Sequence, residues 1–307
     1  MSEISIIGGI TADIEGNPYN QLIPGDSNPG KITMSYGGVG RNITENLARM
    51  GVAVNFVSVA GDDFAGRGAV RELEDIGVSV ENVRLLPEEN TAVYMSILNI
   101  MGDMELALCN MDVLERISTE FIEDAFESMK NSKMIGIDTN LTEETLDYTT
   151  KKLKGIPLFL DPVSVTKAER AKKIIGRFHT IKPNRIEAEI LSGMTIMSAE
   201  ELEMAAAWFL EQGVKRVFIT LGGGGVYFKD ENESGLIAPK QTEVASATGA
   251  GDAFSAAIIY SYLKGYDIRK TAEVGMAAAV IAMKSKAAVN RVMSENEVFA
   301  VLENLKK

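Results

Sequence analysis

The sequence predicts an α/β fold in which a doubly wound, mostly parallel sheet is flanked by helices and carries a small β-sheet lid. Short apolar segments alternate with amphipathic helical segments along most of the 307 residues. Two further segments have the alternating pattern of antiparallel strands instead. Regular alternation of strand and helix is typical of a parallel sheet with helices on both faces.

The strands of the parallel sheet are predicted from continuous apolar runs, each ending in Gly, Asp, Pro or Asn or close to one of them. A run that is apolar at nearly every position is typical of a strand buried on both faces. The predicted strands cover residues 4–10, 54–60, 133–138, 157–162, 178–184 and 216–223.

Between these strands, apolar residues recur every three to four positions, which predicts amphipathic helices. Four of the predicted helices end at a glycine, where a helix end favours a residue that tolerates positive φ. These glycines are Gly51, Gly77, Gly155 and Gly213. The predicted helices cover residues 42–51, 66–77, 119–130, 142–155, 198–213 and 253–263.

Residues 14–36 and 90–109 do not follow this alternation of buried strands and amphipathic helices. Their alternating pattern, with a turn at Gly102-Asp103, predicts antiparallel strands outside the parallel sheet. We expect these strands to form a small sheet or lid. Because the chain has no long low-complexity linker and no internal repeat, residues 1–307 are predicted to form a single domain.

The net charge of −12 argues against nonspecific binding to nucleic acid or to an anionic membrane. Both would need clustered Lys and Arg. No apolar stretch approaches the roughly 18 residues that span a bilayer, and the N-terminal residues lack the features of a secretory leader. We therefore expect a cytoplasmic protein that acts on a small molecule.

Cys109 is the only cysteine and His179 the only histidine. A single cysteine can form neither an intrachain disulfide nor a cysteine-based zinc cluster, which fits a reducing compartment. Cys109 is expected to be a small buried apolar residue. His179 is interpreted as a structural residue, because one histidine cannot build a histidine-rich metal centre.

The most chemically informative motif lies near the C-terminus, where Thr248-Gly249-Ala250-Gly251-Asp252 precedes an apolar helix. Glycines let the backbone approach a phosphate closely, and amides at a helix N-terminus bind anions. An aspartate beside such a site is suited to accept a hydroxyl proton during phosphoryl transfer. The alternative is that Asp252 only caps the helix and interacts with its dipole.

A second glycine-rich motif, Gly37-Gly38-Val39-Gly40-Arg41-Asn42, leads into a helix. It has neither the GxGxxG spacing of a dinucleotide site nor the GxxxxGK[ST] spacing of a P-loop. Its glycines allow a small polar ligand to approach the backbone, and Asn42 offers both a donor and an acceptor. The alternative is a tight turn with Asn42 as the N-cap.

Two more motifs, residues 182–187 and residues 220–225, follow predicted strands. Ligands collect at the carboxyl ends of strands in open α/β sheets. Glu187 is therefore a candidate for ordering hydrated Mg²⁺, and the glycine turn Gly222–Gly225 for admitting nucleotide phosphates or ribose. Alternatively, Glu187 faces solvent and the glycines form a tight β-hairpin.

In order and spacing, these four motifs resemble the signatures of the ribokinase-like (PfkB) carbohydrate kinase family, over nearly the whole chain. The resemblance implies a single α/β domain with a β lid over the sugar, and phosphoryl transfer from ATP with Mg²⁺. It also implies that Asp252 is the catalytic base. The amides of Gly249, Ala250 and Gly251 would form the anion hole for the transferring phosphoryl group.

The same resemblance implies the binding residues. Asp13, Gly38 and Asn42 are expected to contact the sugar hydroxyls. Asp138 resembles the family position near the phosphates and the metal, where Glu187 is also expected. The residues implied to surround ATP and Mg²⁺ are Asn184, Glu187, Thr220, Gly222 and Gly225.

Within the family, residues 26–32, 37–51, 87–99, 160–164 and 179–193 resemble the members that phosphorylate the ribose 5′-hydroxyl of the C-nucleoside pseudouridine. The residues then implied to read the uracil edge are Asn17, Ser27, Asn28 and Lys167, although polar residues in surface loops need no functional reason. Many family members have Asp-Thr at a monovalent cation site where this chain has Ser246-Ala247, which argues against potassium activation.

Several alternatives share parts of this pattern. A family member acting on another nucleoside or a free sugar has the same core motifs and a different lid. A nonenzymatic nucleoside-binding protein of this fold would have no reason to keep the Asp252 carboxylate. A nicotinamide-dependent dehydrogenase suits a doubly wound sheet but lacks GxGxxG. Because exposed lid strands pair readily with a partner, a homodimer through the lid is also expected.

Overall fold

A computed structural model describes residues 2–238 and 246–306 of the chain. The strands within these ranges are β1 (Ile4–Ile7), β2 (Thr11–Pro18), β3 (Gly30–Gly37), β4 (Val54–Gly61), β5 (Ser79–Leu86), β6 (Ala92–Leu98), β7 (Met104–Asn110), β8 (Met134–Asp138), β9 (Leu158–Asp161), β10 (Thr180–Ile181), β11 (Arg216–Thr220), β12 (Val226–Lys229) and β13 (Ser234–Ile237).

The α-helices in the same part of the chain are α1 (Val39–Arg49), α2 (Phe64–Glu74), α3 (Thr119–Met129), α4 (Glu143–Lys152), α5 (Val165–Ala168), α6 (Arg185–Ser192), α7 (Ala199–Glu211), α8 (Ala250–Leu263), α9 (Ile268–Met283) and α10 (Glu295–Lys306). Short 3₁₀ segments cover Asp112–Arg116, Glu169–Arg177 and Gly222–Gly224.

The large sheet has the strand order β13-β12-β11-β10-β9-β8-β1-β4-β5. All pairs from β5 to β11 are parallel, whereas β12 pairs antiparallel with both β11 and β13. The sheet is therefore mostly parallel, as the sequence predicts. The carboxyl ends of β8, β9 and β10 lie side by side at one edge, where loops from distant parts of the chain meet.

Two apolar cores cover the two faces of this sheet. Ile4 and Ile6 of β1 belong to one core and Ile7 to the other, because successive side chains of a strand point to opposite faces. Helices α1, α2, α8, α9 and α10 contribute to the first core, and α3, α4, α6 and α7 to the second. Helices on both faces confirm the doubly wound arrangement.

A separate four-stranded sheet has the order β3-β2-β6-β7. The β2–β3 and β6–β7 pairs are antiparallel, and β2 pairs parallel with β6. These strands occupy the two segments predicted to form a lid, although β2 begins at Thr11, ahead of the predicted start. The sheet joins the body where β1 leads into β2 and where β3 leads into α1.

The four glycines predicted to end helices all have positive φ, from 83° at Gly51 to 116° at Gly213. Another expectation is wrong: Cys109 is exposed, because it lies in β7, the edge strand of the small sheet. His179 is half-buried, and its Nδ1 lies 2.8 Å from Oγ1 of Thr180, which suits the structural role predicted for it.

The predicted strand 178–184 is reduced to the two residues of β10. Pro183 lacks the N–H that a parallel ladder requires, and Asn184 already begins a helix. Elements β5, β12, β13, α5, α6, α9 and α10 were not among the predicted ones. In the part of the chain that the structure describes, no helix is long and apolar enough to cross a membrane.

Candidate active site

The first turn of α8 presents backbone amides that no side chain caps. Its N-cap is Gly249, with φ of 78° and no side-chain capping bond. A Cβ on Gly249 would lie 1.8 Å from the carbonyl oxygen of Ala288, so only glycine fits here. Backbone amides at the positive end of a helix favour an anion. The structure does not support the alternative in which Asp252 caps the helix.

Asp252 is half-buried in this first turn, and its Oδ2 accepts a 2.8 Å hydrogen bond from Nδ2 of Asn42. Desolvation, followed by the charge of Asp161, raises the pKa of Asp252 to about 7. The bond from Asn42 and the charge of Lys182 lower this pKa, and the charge of Asp138 raises it. A carboxyl with a pKa near neutrality is suited to exchange a proton.

Asn42 reaches Asp252 from inside α1. The helix begins with Gly38 as its N-cap, so the interpretation of Asn42 as the N-cap is wrong. Gly38 has φ of 100°, and a Cβ there would lie 2.3 Å from the carbonyl oxygen of Gly9. The glycine motif thus allows α1 to start tightly against the turn after β1, which carries Asn42 to the catalytic side.

Asp138 holds the start of α1 against the turn after β1. The residue is buried at the end of β8, where its Oδ2 accepts hydrogen bonds from the N–H of Gly9 and of Gly40, at 3.0 and 2.9 Å. Asn140 adds two bonds, from its N–H and from Nδ2. Burial raises the pKa of Asp138, and these bonds lower it. The carboxylate therefore joins the turn after β1, the first turn of α1 and the loop after β8. Its predicted place at a metal stays a prediction.

The polar face of the small sheet turns toward this site. Asp13 of β2 pairs in register with Ser35 and Tyr94, so the three lie on one face. Oδ1 of Asp13 accepts a 2.9 Å bond from Oγ1 of Thr11. Burial raises the pKa of Asp13, while this bond and the charge of Arg41 lower it. Asp13 is thus near the start of α1, and its contact with a sugar stays a prediction.

The four residues predicted to read the uracil edge do not all lie at this site. Lys167 is half-buried, and its Nζ donates a 2.5 Å bond to Oδ1 of Asn140, which connects it to Asp138. Burial lowers the pKa of Lys167. Asn17 donates to Oε1 of Glu15. Lys167 is therefore the member of the set that reaches the centre of the site.

Ser27 and Asn28 lie in the exposed loop between β2 and β3. The side chain of Asn28 holds this loop by accepting from the N–H of Ile23 and donating to its carbonyl. Asn28 also lines a cavity of about 350 Å³ with Ile32 and Met95, which belong to the apolar face of the small sheet. The structure does not bring Asn28 together with Asp13, because the loop folds over the opposite face.

Asn184 and Glu187 form a capping box at the start of α6. Oδ1 of Asn184 accepts from the N–H of Glu187 at 2.9 Å, and Oε2 of Glu187 accepts from the N–H of Asn184 at 2.8 Å. The side chain of Glu187 is buried, so the alternative that it faces solvent is wrong. Burial raises the pKa of Glu187, and Lys182 lowers it.

The glycine turn lies beside this capping box, since Thr220 bridges to Asn184 and donates its N–H to the carbonyl of Pro183. Gly222 begins an exposed 3₁₀ turn between the antiparallel β11 and β12, so the hairpin interpretation is correct. Gly225 has φ of 92°, and a Cβ there would lie 1.9 Å from the carbonyl oxygen of Ile237. The turn leaves an open surface next to Asn184.

Sequence reasoning missed a buried charge cluster below the amides of α8. Asp161 ends β9, and its Oδ2 accepts a 2.7 Å bond from Oγ of Ser255 and lies 3.3 Å from Nζ of Lys182. Burial lowers the pKa of Lys182, but the charges of Asp161, Glu187 and Asp252 outweigh this effect and raise it. The sequence offers a signal for this cluster, because Asp161 and Lys182 each follow an apolar run that predicts a strand.

Together these groups place a carboxyl, a lysine and the backbone amides of the first turn of α8 at the same edge of the sheet. A hydroxyl against Asp252 would lie beside a site for an anion at the start of α8. This arrangement can remove a proton from a hydroxyl while stabilising charge on a group that the hydroxyl attacks.

Comparison with known proteins supports this interpretation. A model of the pfkB family of carbohydrate kinases matches residues 1–295. The pseudouridine kinase of Escherichia coli (strain K12) is 35% identical over 302 residues, which cover 98% of this chain and 96% of that protein.

Solved structures of carbohydrate kinases have the same fold as this chain. A carbohydrate kinase from Agrobacterium tumefaciens matches with a TM-score of 0.88 at 27% identity, covering 99% of this chain and 98% of that one. Arabidopsis thaliana ribokinase complexed with ribose and ATP matches with a TM-score of 0.82 at 21% identity, covering 98% of this chain and 99% of that one. The ribokinase-like fold predicted from the sequence is therefore confirmed.

Proposed function

Because the chain belongs to the pfkB family of carbohydrate kinases, we propose that it phosphorylates the ribose 5′-hydroxyl of pseudouridine, giving pseudouridine 5′-phosphate. Family membership makes it an ATP-dependent sugar or nucleoside kinase. The identity of the acceptor is our proposal. It is supported by the 35% identity to the Escherichia coli pseudouridine kinase along nearly the whole of both chains.

The observation that carries the proposal is the position of Asp252 beside the uncapped amides of α8. Asp252 accepts the proton of the 5′-hydroxyl as the oxygen attacks the γ-phosphorus of ATP, and ADP leaves. Phosphoryl transfer depends mainly on positioning and charge stabilisation rather than on covalent catalysis by the protein. A base with a pKa of about 7 is well matched to this proton.

Charge on the transferring phosphoryl group is stabilised by the amides of Gly249, Ala250 and Gly251. Lys182 lies close to them: a Cβ on Gly251 would lie 3.5 Å from its Nζ. We add Lys182 to the anion site on this geometry. Donors fixed before the reaction need no reorganisation when charge develops.

Nucleotide and metal are assigned to the neighbouring loops. ATP is placed along Asn184, Thr220, Gly222 and Gly225, where the exposed turn leaves room. Among the described residues, no three His, Cys, Asp or Glu side chains converge on a metal site. This fits Mg²⁺, which keeps several waters and is bound by one or two carboxylates together with substrate phosphates.

Glu187 is the proposed carboxylate for Mg²⁺, with Asp138 as the second candidate. The ion would neutralise charge on the phosphates. Potassium is left out of the proposal, since Ser246-Ala247 replaces the Asp-Thr of related cation sites.

The sugar hydroxyls are proposed to bind Asp13, Asn42 and the backbone at Gly38. A carboxylate accepts from a diol, and an amide both donates and accepts. Lys167 is the proposed contact of the nucleobase, because its bond to Asn140 brings it into the site. Asn17, Ser27 and Asn28 were also predicted to read the base, but they have local partners in the lid.

The second candidate is a kinase of the same family that acts on another nucleoside or on a free sugar. Asp13, Asn42 and Asp252 would contact any ribose, so these residues do not select the base. The nonenzymatic and dehydrogenase alternatives do not account for a base beside an anion site.

The experiment is a coupled ADP-release assay with MgATP and pseudouridine, uridine, adenosine, ribose and fructose. We expect the highest kcat/KM with pseudouridine. A higher value with another acceptor would reject the pseudouridine assignment and keep the family chemistry. No ADP release with any acceptor, combined with tight nucleoside binding measured by calorimetry, would reject the kinase and favour a binding protein.

A further inference from the structure

Arg41 is a buried arginine that the proposed mechanism does not use. It is 3% exposed in the first turn of α1. Its Nη1 lies 2.6 Å from Oε2 of Glu45, and its Nη2 lies 3.1 Å from Oε2 of Glu72. Its Nε is buried without a hydrogen-bond partner in the described part of the chain. An unpaired buried donor destabilises a fold, so pairing alone does not explain this arginine.

The second contact of Nη1 points to a role. Nη1 donates a 3.2 Å bond to Oδ1 of Asn42, and Nδ2 of Asn42 donates a 2.8 Å bond to Oδ2 of Asp252. A guanidinium is only a donor, whereas an amide has one accepting and one donating end. The guanidinium therefore holds the amide oxygen, and only the NH₂ group can face Asp252.

We propose that Arg41 is a positioning residue that orients the amide of Asn42. In this orientation the NH₂ group of Asn42 donates to Asp252 and stabilises its ionised, proton-accepting form. The inference rests on the proposed role of Asp252 as the base. A donor stabilises a carboxylate over a carboxylic acid. If the amide turned over, its oxygen would face Asp252 and favour the protonated acid.

The other charged groups that act on Asp252 come from the sheet. Asp161 of β9 and Asp138 of β8 favour the protonated form, and Lys182, after β10, opposes them. From the helical side, the hydrogen bond from Asn42 of α1 favours the ionised form. The orientation of this one amide therefore affects the balance directly.

Arg41 can be replaced without leaving Glu45 unpaired. Arg49 contacts Oε1 of Glu45 at 2.7 Å, and Glu72 is itself half-exposed. Arg41→Lys keeps a positive charge but loses the fork that reaches Glu45 and Asn42 at once. Arg41→Met removes both the positive charge and the guanidinium fork. Arg49→Met is the matched control, because it removes an arginine from the same glutamate and has no bond to Asn42.

The test is the pH profile of kcat/KM for MgATP with the best acceptor, since this profile reports ionisations of the free enzyme. Wild type should lose activity as pH falls through the pKa of Asp252, near 7. In Arg41→Lys and Arg41→Met, this acid limb should move to a pH higher by roughly one unit, because Asp252 loses one hydrogen bond that stabilises its charged form. Activity near pH 6 would fall about tenfold, and the plateau above about pH 9 would stay close to wild type.

An acid limb that is unmoved in folded Arg41→Lys would overturn the inference, and so would an equal movement in Arg49→Met. If thermal melting shows that Arg41→Met is unfolded at the assay temperature, Arg41→Lys decides the outcome. Normal turnover in Asp252→Asn would instead reject the base assignment, which distinguishes failure of the proposed function from failure of this inference.

Discussion

At the residue scale, a base that works near neutral pH must be neither fully solvated nor firmly paired. Desolvation and Asp161 raise the pKa of Asp252, while Asn42 and Lys182 lower it. The sequence motif predicts where Asp252 lies, but not these neighbours. Asn42 is 210 positions away along the chain, so only the folded topology brings its amide to the carboxylate.

Lys182 offers a prediction at this scale. Lys182→Met removes a buried cation from among Asp161, Glu187 and Asp252 and from beside the amides of α8. We expect kcat to fall by roughly two orders of magnitude, in the range for losing one group that stabilises transition-state charge. The measurement is kcat at saturating MgATP and acceptor.

The control for this prediction is Lys173→Met, which removes an exposed lysine from a surface pair with Glu143. Exposed ion pairs contribute little to stability, so kcat should match wild type. An unchanged kcat in folded Lys182→Met would show that this cation does not support phosphoryl transfer.

At the element scale, the buried parallel strands β1, β4, β8, β9 and β11 were predictable because each is a mostly apolar run between turn residues. The elements that escaped prediction have weaker patterns. Strand β5 is half-buried and mixed in polarity, and α9 is buried around most of its circumference, so neither shows a clear period. The lid was predictable from alternation, but the alternation does not show that β7 is an edge strand, where Cys109 is exposed.

The N-terminus of α8 gives the prediction at this scale. Gly249→Ala places a Cβ 1.8 Å from the carbonyl oxygen of Ala288, at φ of 78°. The start of the helix must then shift, so we expect both a lower melting temperature and a loss of kcat. Thermal melts and steady-state kinetics provide the two measurements.

Gly265→Ala separates backbone strain from this clash. Gly265 has φ of 69°, and a Cβ there meets nothing within 4 Å. It should lower stability by about 1 kcal/mol through strain alone and leave kcat unchanged. Equal effects of the two substitutions on kcat would contradict the assignment of these amides to the anion site.

At the scale of the whole molecule, the body is a covered sheet, whereas the small sheet has one open apolar face. Its register places Ile32, Met34, Met95, Leu106 and Leu108 on one side. All five are exposed, with Ile32 at 76% and Leu108 at 65%. Exposed apolar patches of this kind mark interaction sites. The single-domain and cytoplasmic expectations stay predictions at this scale.

We predict that this face pairs two copies of the chain. Light scattering should give the mass of a dimer at micromolar concentration. Met34→Asp combined with Leu108→Asp should give a monomer, because pairing would bury two charges against an apolar face. A wild-type protein that is monomeric at every concentration measured would reject pairing through the lid.

The most direct test of the account is turnover by Asp252→Asn, measured together with nucleoside binding by calorimetry. Asparagine has nearly the same shape as aspartate but cannot accept the proton, so binding should persist while kcat falls by roughly two to four orders of magnitude. Asp267→Asn is the control: Asp267 caps α9, where asparagine serves equally well. Turnover close to wild type in Asp252→Asn would contradict the claim that Asp252 is the catalytic base.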